Sequence, residues 1–306
     1  MSESLEAAIG FHEGKRQQVV IFSSHASLLR DLGLASRLRS RGLFVASQTL
    51  EATGLGLDKT AFKKTLKSIG VATPQWGELN SLKDSQPDVL LKLRNVTQSQ
   101  GILWYDGTKP AAHDDWYWEV FILGCEYSIL AFVDSAGTTL FPAIWKGNTR
   151  TDLLPPWRRP RMCPDPRLDS ALEARLMSAT RTVLDSVKCW GFVELEFIVD
   201  PSGSALLLEI NPRVCGTMRI AAMACNTNIF SLPATGTHRP ELFAPTRQAL
   251  EVPYDGIPFV SDDRRVVASS RITFAADSAA ELIQLATTHL PSRLELLAQV
   301  ADLLDV

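Results

Sequence analysis

Hydrophobic positions recur along the chain with two different periods, which predicts a mixture of helices and strands. The pattern begins with a strand over 18–23, a helix over 27–41 with its leucines on one stripe, and a strand over 43–47. A strand, a helix and a strand in this order are typical of a small α/β unit. Asp58 then begins a second helix, which Gly70 ends.

Two irregular segments interrupt the periodic pattern. The stretch TGLGLDKT at 53–60 lacks the Gly-Lys-Ser/Thr ending of a phosphate-binding loop, so we interpret its glycines as a turn. The proline-rich, charged segment at 147–167 predicts a long loop. Strand formers dominate 88–94, 101–105, 116–122, 126–134, 138–145, 191–200, 205–211 and 265–274, and helical periodicity dominates 169–188, 278–289 and 291–304.

Composition is that of a folded globular protein of 306 residues, 45% hydrophobic and 21% charged. The formal net charge of −3 argues against a nucleic-acid-binding protein with a broad basic surface. No apolar run approaches the ~20 residues of a membrane span, and the N-terminus lacks the apolar core of a signal peptide. The cysteines include no Cys-x-x-Cys pair, which favours free thiols in a reducing cytoplasm. We therefore expect a cytoplasmic protein that binds neither nucleic acid nor membrane.

The strongest local pattern is GFVELEFIVDPSGSALLLEINPR at 191–213, two strand-like runs around a Pro-Ser-Gly turn. If the runs pair as a hairpin, Glu196 faces Glu209 and Glu194 faces Asn211. Because side chains alternate along a strand, these four residues then share one face. The other face is wholly apolar, and its residues are Val193, Leu195, Phe197, Val199, Leu206, Leu208 and Ile210.

The acidic face of this hairpin has two interpretations. Directly opposed carboxylates have Cβ atoms only ~5 Å apart and repel each other. A divalent cation would make the arrangement favourable, and Mg²⁺ commonly binds one or two carboxylates together with substrate phosphates. The alternative is a face solvated by water and by neighbouring Lys or Arg side chains, and the pattern alone leaves both open.

Several motifs in consistent order resemble the ATP-grasp superfamily, over about residues 55–230. LLLEINPR at 206–213 is similar to the metal-binding strand of that superfamily, which carries an acid, one further residue, Asn and often Pro-Arg. DKTAFKKTLKSIGVATPQW at 58–76 resembles the helix that opens the grasp domain. LLKL at 90–93 resembles the strand with the second ATP lysine, and WEVFILGCEYS at 118–128 resembles the interdomain hinge.

The resemblance implies a role for each matching position. The implied ATP-binding residues are Lys59 and Lys92 at the phosphates, Glu119, Phe121 and Ile122 at the adenine edge, and Glu126 at the ribose. The implied ligands of Mg²⁺ or Mn²⁺ are Glu196, Glu209 and Asn211. The implied catalytic residues are Lys146, a further phosphate-binding lysine, and Arg213, which would stabilise the transferred phosphoryl group or the acyl phosphate.

The fold that the resemblance implies is α+β, an ATP-grasp fold with a shortened N-terminal α/β subdomain. We expect this subdomain over 1–57, the lid subdomain over 58–118, and the central subdomain with a C-terminal extension over 119–306. The loop RNVTQSQG after Lys92 departs from the family, because it contains one glycine where backbone N–H groups usually cradle phosphates.

The implied activity is that of an ADP-forming carboxylate–amine ligase. Such an enzyme transfers the γ-phosphoryl group of ATP to the carboxylate of an amino acid or similar small metabolite, and joins the acyl phosphate to an amine. Its partners would be these small-molecule substrates, and relatives suggest a homodimer. Two alternatives stay open: a cyclo-ligase that closes a ring within one substrate, and a degenerate module that binds ATP for regulation only.

Overall fold

The computed structural model of the protein describes most of the chain. The described residues are 18–83, 85–97, 99–111, 113–234, 240–254, 259–260 and 265–290. The helix predicted at 291–304 lies outside them. Within the described ranges, no helix is long and apolar enough to cross a membrane.

The N-terminal unit has the predicted strand–helix–strand order. Strands β1 (Gln18–Val20) and β2 (Phe44–Ala46) pair in parallel, and helix α1 (Leu28–Ser40) connects them. Leu38 of α1 and Val45 of β2 are buried in a small core of their own. With two strands and one connecting helix, this unit is a shortened α/β subdomain, as predicted.

An additional helix, α2 (Leu50–Leu57), comes next, so the turn predicted at 53–60 is wrong. The Thr49 side chain accepts a hydrogen bond from a backbone N–H of the first turn. This cap offsets part of the low helix propensity of the two glycines in α2. Gly56 is needed for packing, because it lies against Pro212, just after the second strand of the acidic hairpin.

The helix predicted to begin at Asp58 is α3 (Lys59–Ser68). The Asp58 carboxylate accepts hydrogen bonds from the backbone N–H groups of Thr60 and Ala61. Two of the otherwise unsatisfied donors of the first helical turn are thereby paired. The cap fixes the position of Lys59, the first residue of the helix.

A four-stranded antiparallel sheet follows α3. Its strands are β3 (Trp76–Glu78), β4 (Val89–Leu93), β5 (Ile102–Trp104) and β6 (Trp116–Val120), and their order across the sheet is β3-β6-β4-β5. Trp118 is buried in the core of this sheet, where its indole N–H donates to Ser81 Oγ at 3.0 Å. The central pair β4–β6 sets Leu90 opposite Glu119 and Lys92 opposite Tyr117, so Lys92 and Glu119 are diagonal neighbours on the same face of the sheet.

The largest sheet of the described residues has ten strands. In chain order they are β7 (Cys125–Asp134), β8 (Gly137–Leu140), β9 (Ile144–Asn148), β10 (Arg161–Cys163), β11 (Gly191–Val199), β12 (Ala205–Asn211), β13 (Gln248–Pro253), β14 (Phe259–Val260), β15 (Val266–Ala268) and β16 (Arg271–Ala276). Their order across the sheet is β12-β11-β7-β9-β10-β13-β16-β15-β14, with β8 paired to β7. The acidic hairpin β11–β12 therefore lies at one edge.

Helices pack against both faces of the large sheet. Helices α4 (Ser170–Val187) and α6 (Ala279–His289) contribute to one core, and α5 (Met218–Ala224) contributes to the other. Side chains of β7 alternate between the two, with Ile129 in the first core and Phe132 in the second. The sheet is thus buried on both sides in its middle strands.

The segment at 147–167 is less irregular than predicted, because β10 lies within it. Met162 of β10 pairs with Trp145 of β9 and with Leu250 of β13, so this short strand bridges the middle of the large sheet. Prolines on both sides conceal β10 in the sequence, since proline cannot donate a ladder hydrogen bond. The pattern also did not predict β13, nor the break between β8 and β9 at Pro142.

The acidic half of the hairpin has the predicted register, with Glu194 opposite Asn211 and Glu196 opposite Glu209. All four side chains belong to the face predicted for them. The alternation of polar and apolar residues is strict in this half. A slip by one residue would expose one whole side of buried apolar groups, which explains why the register was readable.

A β-bulge after Glu196 shifts the other half of the hairpin away from the prediction. Phe197 pairs with Leu207 and not with Leu208. Leu207 is buried in the core, whereas Leu206 and Leu208 are only half-buried. The core positions predicted for Leu206 and Leu208 are therefore wrong, because the bulge inserts one residue into β12 and reverses the alternation beyond it.

The five cysteines are free thiols, as the sequence predicted. Burial raises the pKa of Cys189 and of Cys225 to about 12. Both thiols therefore stay protonated at neutral pH, which fits a structural role.

We predict that Gly56→Ala destabilises the protein. A Cβ at this position would lie 2.4 Å from Pro212 Cδ, so α2 and the end of β12 would have to move apart. Overpacking of this kind lowers the free energy of unfolding by about 1–3 kcal/mol, which urea denaturation measures.

The matched control is Gly54→Ala in the same helix, where no atom of the described residues lies within 4 Å of the new Cβ. It should raise the free energy of unfolding by up to about 1 kcal/mol, because alanine favours the helix over glycine. Equal effects of the two substitutions would contradict the close approach of α2 to Pro212.

Candidate functional site

Two adjoining cavities contain the predicted site residues. The lid cavity, of about 130 Å³, is lined by Lys59, Lys92, Glu119, Phe121, Ile122, Glu126, Glu196 and Glu209. The arginine cavity, of about 390 Å³, is lined by Lys146, Asn211 and Arg213 and again by Glu196 and Glu209. The structure therefore brings all eleven predicted residues together, around two cavities that share the acidic hairpin.

Glu119 is buried between two lysines in the wall of the lid cavity. Its carboxylate forms ion pairs with Lys92 of β4 and with Lys63 of α3. Burial alone raises the pKa of Glu119, but the two ammonium groups outweigh burial and hold it below its usual value. Lys63 is wholly buried and also donates to Thr73 Oγ1 at 2.8 Å. The shared carboxylate thus fixes the direction of Lys92 and ties α3 to the four-stranded sheet.

Lys63 is a residue of the site that the sequence pattern did not predict. The available signal was its place on the buried stripe of α3, between Phe62 and Leu66. A lysine on an apolar stripe requires a buried partner, because an isolated ammonium is costly to remove from water. That partner, Glu119, is distant in sequence and could not be paired with Lys63 from the pattern.

Lysines from two different elements neutralise the facing carboxylates of the hairpin. Lys146 of β9, itself 4% exposed, places Nζ 2.5 Å from Glu196 Oε2. Lys59, at the start of α3, places Nζ 3.6 Å from Glu209 Oε2. Asn211 Nδ2 lies between the carboxylates and donates to Glu196 at 3.0 Å and, more weakly, to Glu209 at 3.4 Å.

Positive charge near Glu196 does not fully compensate its burial. The pKa of Glu196 is raised to about 7, because burial and, to a lesser extent, Glu209 and Glu194 raise it more than Lys146 lowers it. Burial also raises the pKa of Glu209, but Lys59, Lys146 and Lys92 outweigh it and keep that pKa low. The hairpin is therefore a place where an additional cation is electrostatically favourable.

The donor set of the hairpin fits a hard divalent cation. Among the described residues, no three His, Cys, Asp or Glu side chains form a group that could hold a metal ion. The predicted ligands are instead two carboxylates and one amide, Glu196, Glu209 and Asn211, and these oxygens are of the kind Mg²⁺ prefers. Asn211 at present directs Nδ2 to the carboxylates and Oδ1 to Arg213, so its amide must turn over to act as a ligand.

Arg213 lies at the boundary between the hairpin and the arginine cavity. Its guanidinium donates to Asn211 Oδ1 at 3.2 Å and makes a long contact of 3.7 Å with Cys215 Sγ. No carboxylate of the described residues forms an ion pair with it. Arg213 therefore has capacity to bind an anion in the arginine cavity.

The hinge residues at the lid cavity are partly engaged by the protein itself. The Phe121 N–H donates to the Asp88 carbonyl at 2.7 Å, and the Phe121 ring packs on Trp104 with centroids 4.9 Å apart. Glu126 Oε1 accepts from Arg159 Nη2 at 2.6 Å. A ribose hydroxyl would therefore have to use the second oxygen of Glu126.

The arginines of the proline-rich segment are more buried than its composition indicates. Arg159 and Arg161 are 4% and 8% exposed, whereas Arg150, Arg158 and Arg167 are exposed, and the Arg158 guanidinium lies 5.4 Å from the centre of the Trp157 ring. Arg159 and Arg161 are therefore held inside the protein and do not belong to a solvated loop surface. Their carboxylate partners, Glu126 for Arg159 and a glutamate of β13 for Arg161, are far away in sequence.

Structural comparison identifies similar folds, although no protein-family profile and no curated protein matches the sequence. Biotin carboxylase from Campylobacter jejuni, solved as a β-γ-ATP complex, has a TM-score of 0.73 at 14% identity, over 94% of this chain and 77% of that one. The N5-carboxyaminoimidazole ribonucleotide synthetase of Thermus thermophilus has a TM-score of 0.69 at 20% identity, over 93% of this chain and 83% of that one. The L-amino acid ligase of Bacillus licheniformis has a TM-score of 0.68 at 15% identity, over 95% of this chain and 84% of that one. At these identities the likeness establishes the fold alone.

We predict that Lys63→Met strongly destabilises the protein, because it leaves Glu119 buried with one of its two ammonium partners. Removal of one partner from a buried ion pair typically lowers the free energy of unfolding by about 3–5 kcal/mol. Urea denaturation measures the loss.

The neighbouring Lys64→Met is the control. Lys64 is 63% exposed and pairs with Glu78 at 3.1 Å on the surface, so its loss should cost less than about 1 kcal/mol. If the two variants are equally stable, Glu119 does not depend on Lys63.

Proposed function

We propose that this chain, which has the ATP-grasp fold, is an ATP-dependent, ADP-forming carboxylate–amine ligase. The observation that carries the proposal is that the acidic hairpin lines two cavities at once, one with lysines in its wall and one with Arg213. The γ-phosphoryl group of ATP and a carboxylate repel each other, so a site that joins them needs cations on both sides. Lys59 and Lys92 supply positive charge on one side of the hairpin and Arg213 on the other.

In this proposal the lid cavity binds the nucleotide. Lys59 and Lys92 hold the phosphates as point charges, and Glu119 keeps Lys92 directed into the cavity. Phe121 and Ile122 contact the adenine edge. The free oxygen of Glu126 accepts a hydrogen bond from the ribose, while Arg159 holds the other oxygen.

The hairpin residues Glu196, Glu209 and Asn211 would hold Mg²⁺, or Mn²⁺ with the same oxygen ligands. Such an ion supplies neutralisation of the polyphosphate and polarises the transferred group. Lys146 stays paired with Glu196 and orients that carboxylate. Arg213 binds the carboxylate substrate and stabilises the charge that develops on the transferred phosphoryl group.

The reaction would proceed in two steps. A substrate carboxylate oxygen attacks the γ-phosphorus, the bond to the β-phosphate oxygen breaks, and ADP leaves. An amine then attacks the acyl carbon, loses a proton and expels inorganic phosphate. The similar folds include the L-amino acid ligase of Bacillus licheniformis, which agrees with an amino acid or similar small carboxylate as substrate.

The proposal is tested with Mg²⁺, ATP and a panel of carboxylates, with hydroxylamine as a general nucleophile that traps the acyl phosphate. We expect ADP and phosphate release that depends on the carboxylate, and the corresponding hydroxamate by mass spectrometry. Pairs of natural substrates then identify the amine, and a product formed from one substrate alone would indicate a cyclo-ligase. ATP binding without ADP release for any carboxylate would contradict the proposal and support a regulatory module.

We predict that Glu209→Gln lowers kcat roughly 100-fold or more and weakens the dependence of the rate on Mg²⁺ concentration. The substitution removes one of the two facing carboxylates, and an ion of this kind is worth several kcal/mol at the transition state. The control is Glu241→Gln, a change of the same type at a side chain that is 83% exposed. Unchanged turnover in Glu209→Gln would show that the metal assignment is wrong.

A further inference from the structure

An apolar cavity lies beside the arginine cavity and shares no lining residue with the lid cavity. Its volume is about 520 Å³, and its apolar lining residues include Val214, Met218, Ala222, Met223 and Ile229. The two cavities share four lining residues, Cys215, Gly216, Ser270 and Arg271, so they adjoin each other. A molecule bound at the hairpin can therefore extend into the apolar cavity.

The boundary between the two cavities carries an excess of positive charge. The fully buried Glu251 is surrounded by Arg161 at 3.1 Å, Arg219 at 3.0 Å and Arg271 at 2.6 Å. Three guanidinium groups against one carboxylate leave two positive charges uncompensated within this cluster. Together with Arg213, they attract an anion to the junction of the cavities.

The apolar cavity itself is selective against charged groups. None of its described lining residues is Asp, Glu, Lys or His. Its two arginines, Arg219 and Arg271, both donate to Glu251 and belong to the positive cluster at the junction, so the rest of the lining carries no charge. A cationic side chain would meet apolar walls and a positive junction, and would lose its hydration without compensation.

We infer that the substrate of this site is a carboxylate with a branched or aromatic apolar side chain. Its carboxylate lies at the junction, beside Arg213 and the hairpin, and its side chain fills the apolar cavity. The volume exceeds what a small substrate would occupy and accommodates an aromatic ring. This inference rests on the proposed ligase function and adds the substrate class to it.

The first experiment measures kcat/KM for ADP release, with hydroxylamine as the acceptor and L-phenylalanine, L-leucine, L-alanine, L-aspartate and L-lysine as carboxylates. Each methylene in an apolar pocket changes kcat/KM by roughly 10-fold or more. We expect L-phenylalanine or L-leucine to exceed L-alanine at least 100-fold, and the two charged amino acids to be the poorest. Calorimetry with a non-hydrolysable ATP analogue measures binding of the same carboxylates independently of turnover.

The second experiment introduces a charge or a ring into the cavity. Met223→Glu should lower kcat/KM and affinity for L-phenylalanine at least tenfold, because the new carboxylate must be buried or must block the cavity. Ala222→Phe should lower kcat/KM and affinity for L-phenylalanine much more than for L-alanine, because the new ring fills part of the apolar cavity. The control is Leu29→Glu, which places a glutamate at an apolar side chain that is 59% exposed and lines none of the three cavities. It should change neither kcat/KM nor affinity for L-phenylalanine.

The outcomes separate this inference from the proposed function. Binding of apolar carboxylates that Met223→Glu abolishes, without ADP release, would support the cavity and contradict the ligase. ADP release that prefers L-alanine, L-aspartate or L-lysine and is unaffected by Met223→Glu would support the ligase and overturn the cavity. A protein dimer that dissociates in Met223→Glu, by light scattering, would assign the cavity to a second copy of the chain and overturn the inference as well.

Discussion

Repulsion between Glu196 and Glu209, which face each other on adjacent strands, is the constraint on which the rest of the cleft depends. Each carboxylate is stabilised by a lysine from elsewhere in the chain, Lys146 from β9 and Lys59 from the start of α3. The hairpin therefore cannot hold its side chains in place without the large sheet and the α3 cap. In turn, burial, together with the neighbouring Glu209 and Glu194, raises the pKa of Glu196, and a further cation beside this carboxylate would be favourable.

The same principle, buried charge compensated across elements, recurs at two other points of the cleft. Glu119 joins α3 to the four-stranded sheet through Lys63 and Lys92, and Glu251 joins strands of the large sheet through its arginines. The first cluster has one positive charge in excess and the second has two. Such clusters are costly if one member is missing, so they make the relative placement of the elements specific. They also leave the walls of both cavities positive, which suits anionic ligands.

The sequence was most informative where local alternation and sequence order carry the information. The facing pair of the hairpin, the Asp58 cap and the strand–helix–strand start all follow from such patterns, and the motif order indicated the fold. The sequence could not reveal partners that meet only after folding. Lys63 and Arg161 are each paired with an acid far along the chain. The helix at 50–57 was missed because its two glycines disfavour a helix and the contact of Gly56 with Pro212 forms only after folding. The bulge was missed because no residue type marks it.

The bulge after Glu196 has a consequence for the shape of the cleft floor. Along β11, Glu194, Glu196 and Ile198 point to the same side, and the displaced Leu208 of β12 joins Ile198 in the lining of the lid cavity. The floor of the cleft is thus acidic at the end with Glu194 and Glu196 and apolar at the end with Ile198 and Leu208. A ligand with one flat apolar end and one polyanionic, cation-bound end can lie on this floor in a single direction. Its polarity gradient selects the orientation before any specific hydrogen bond forms.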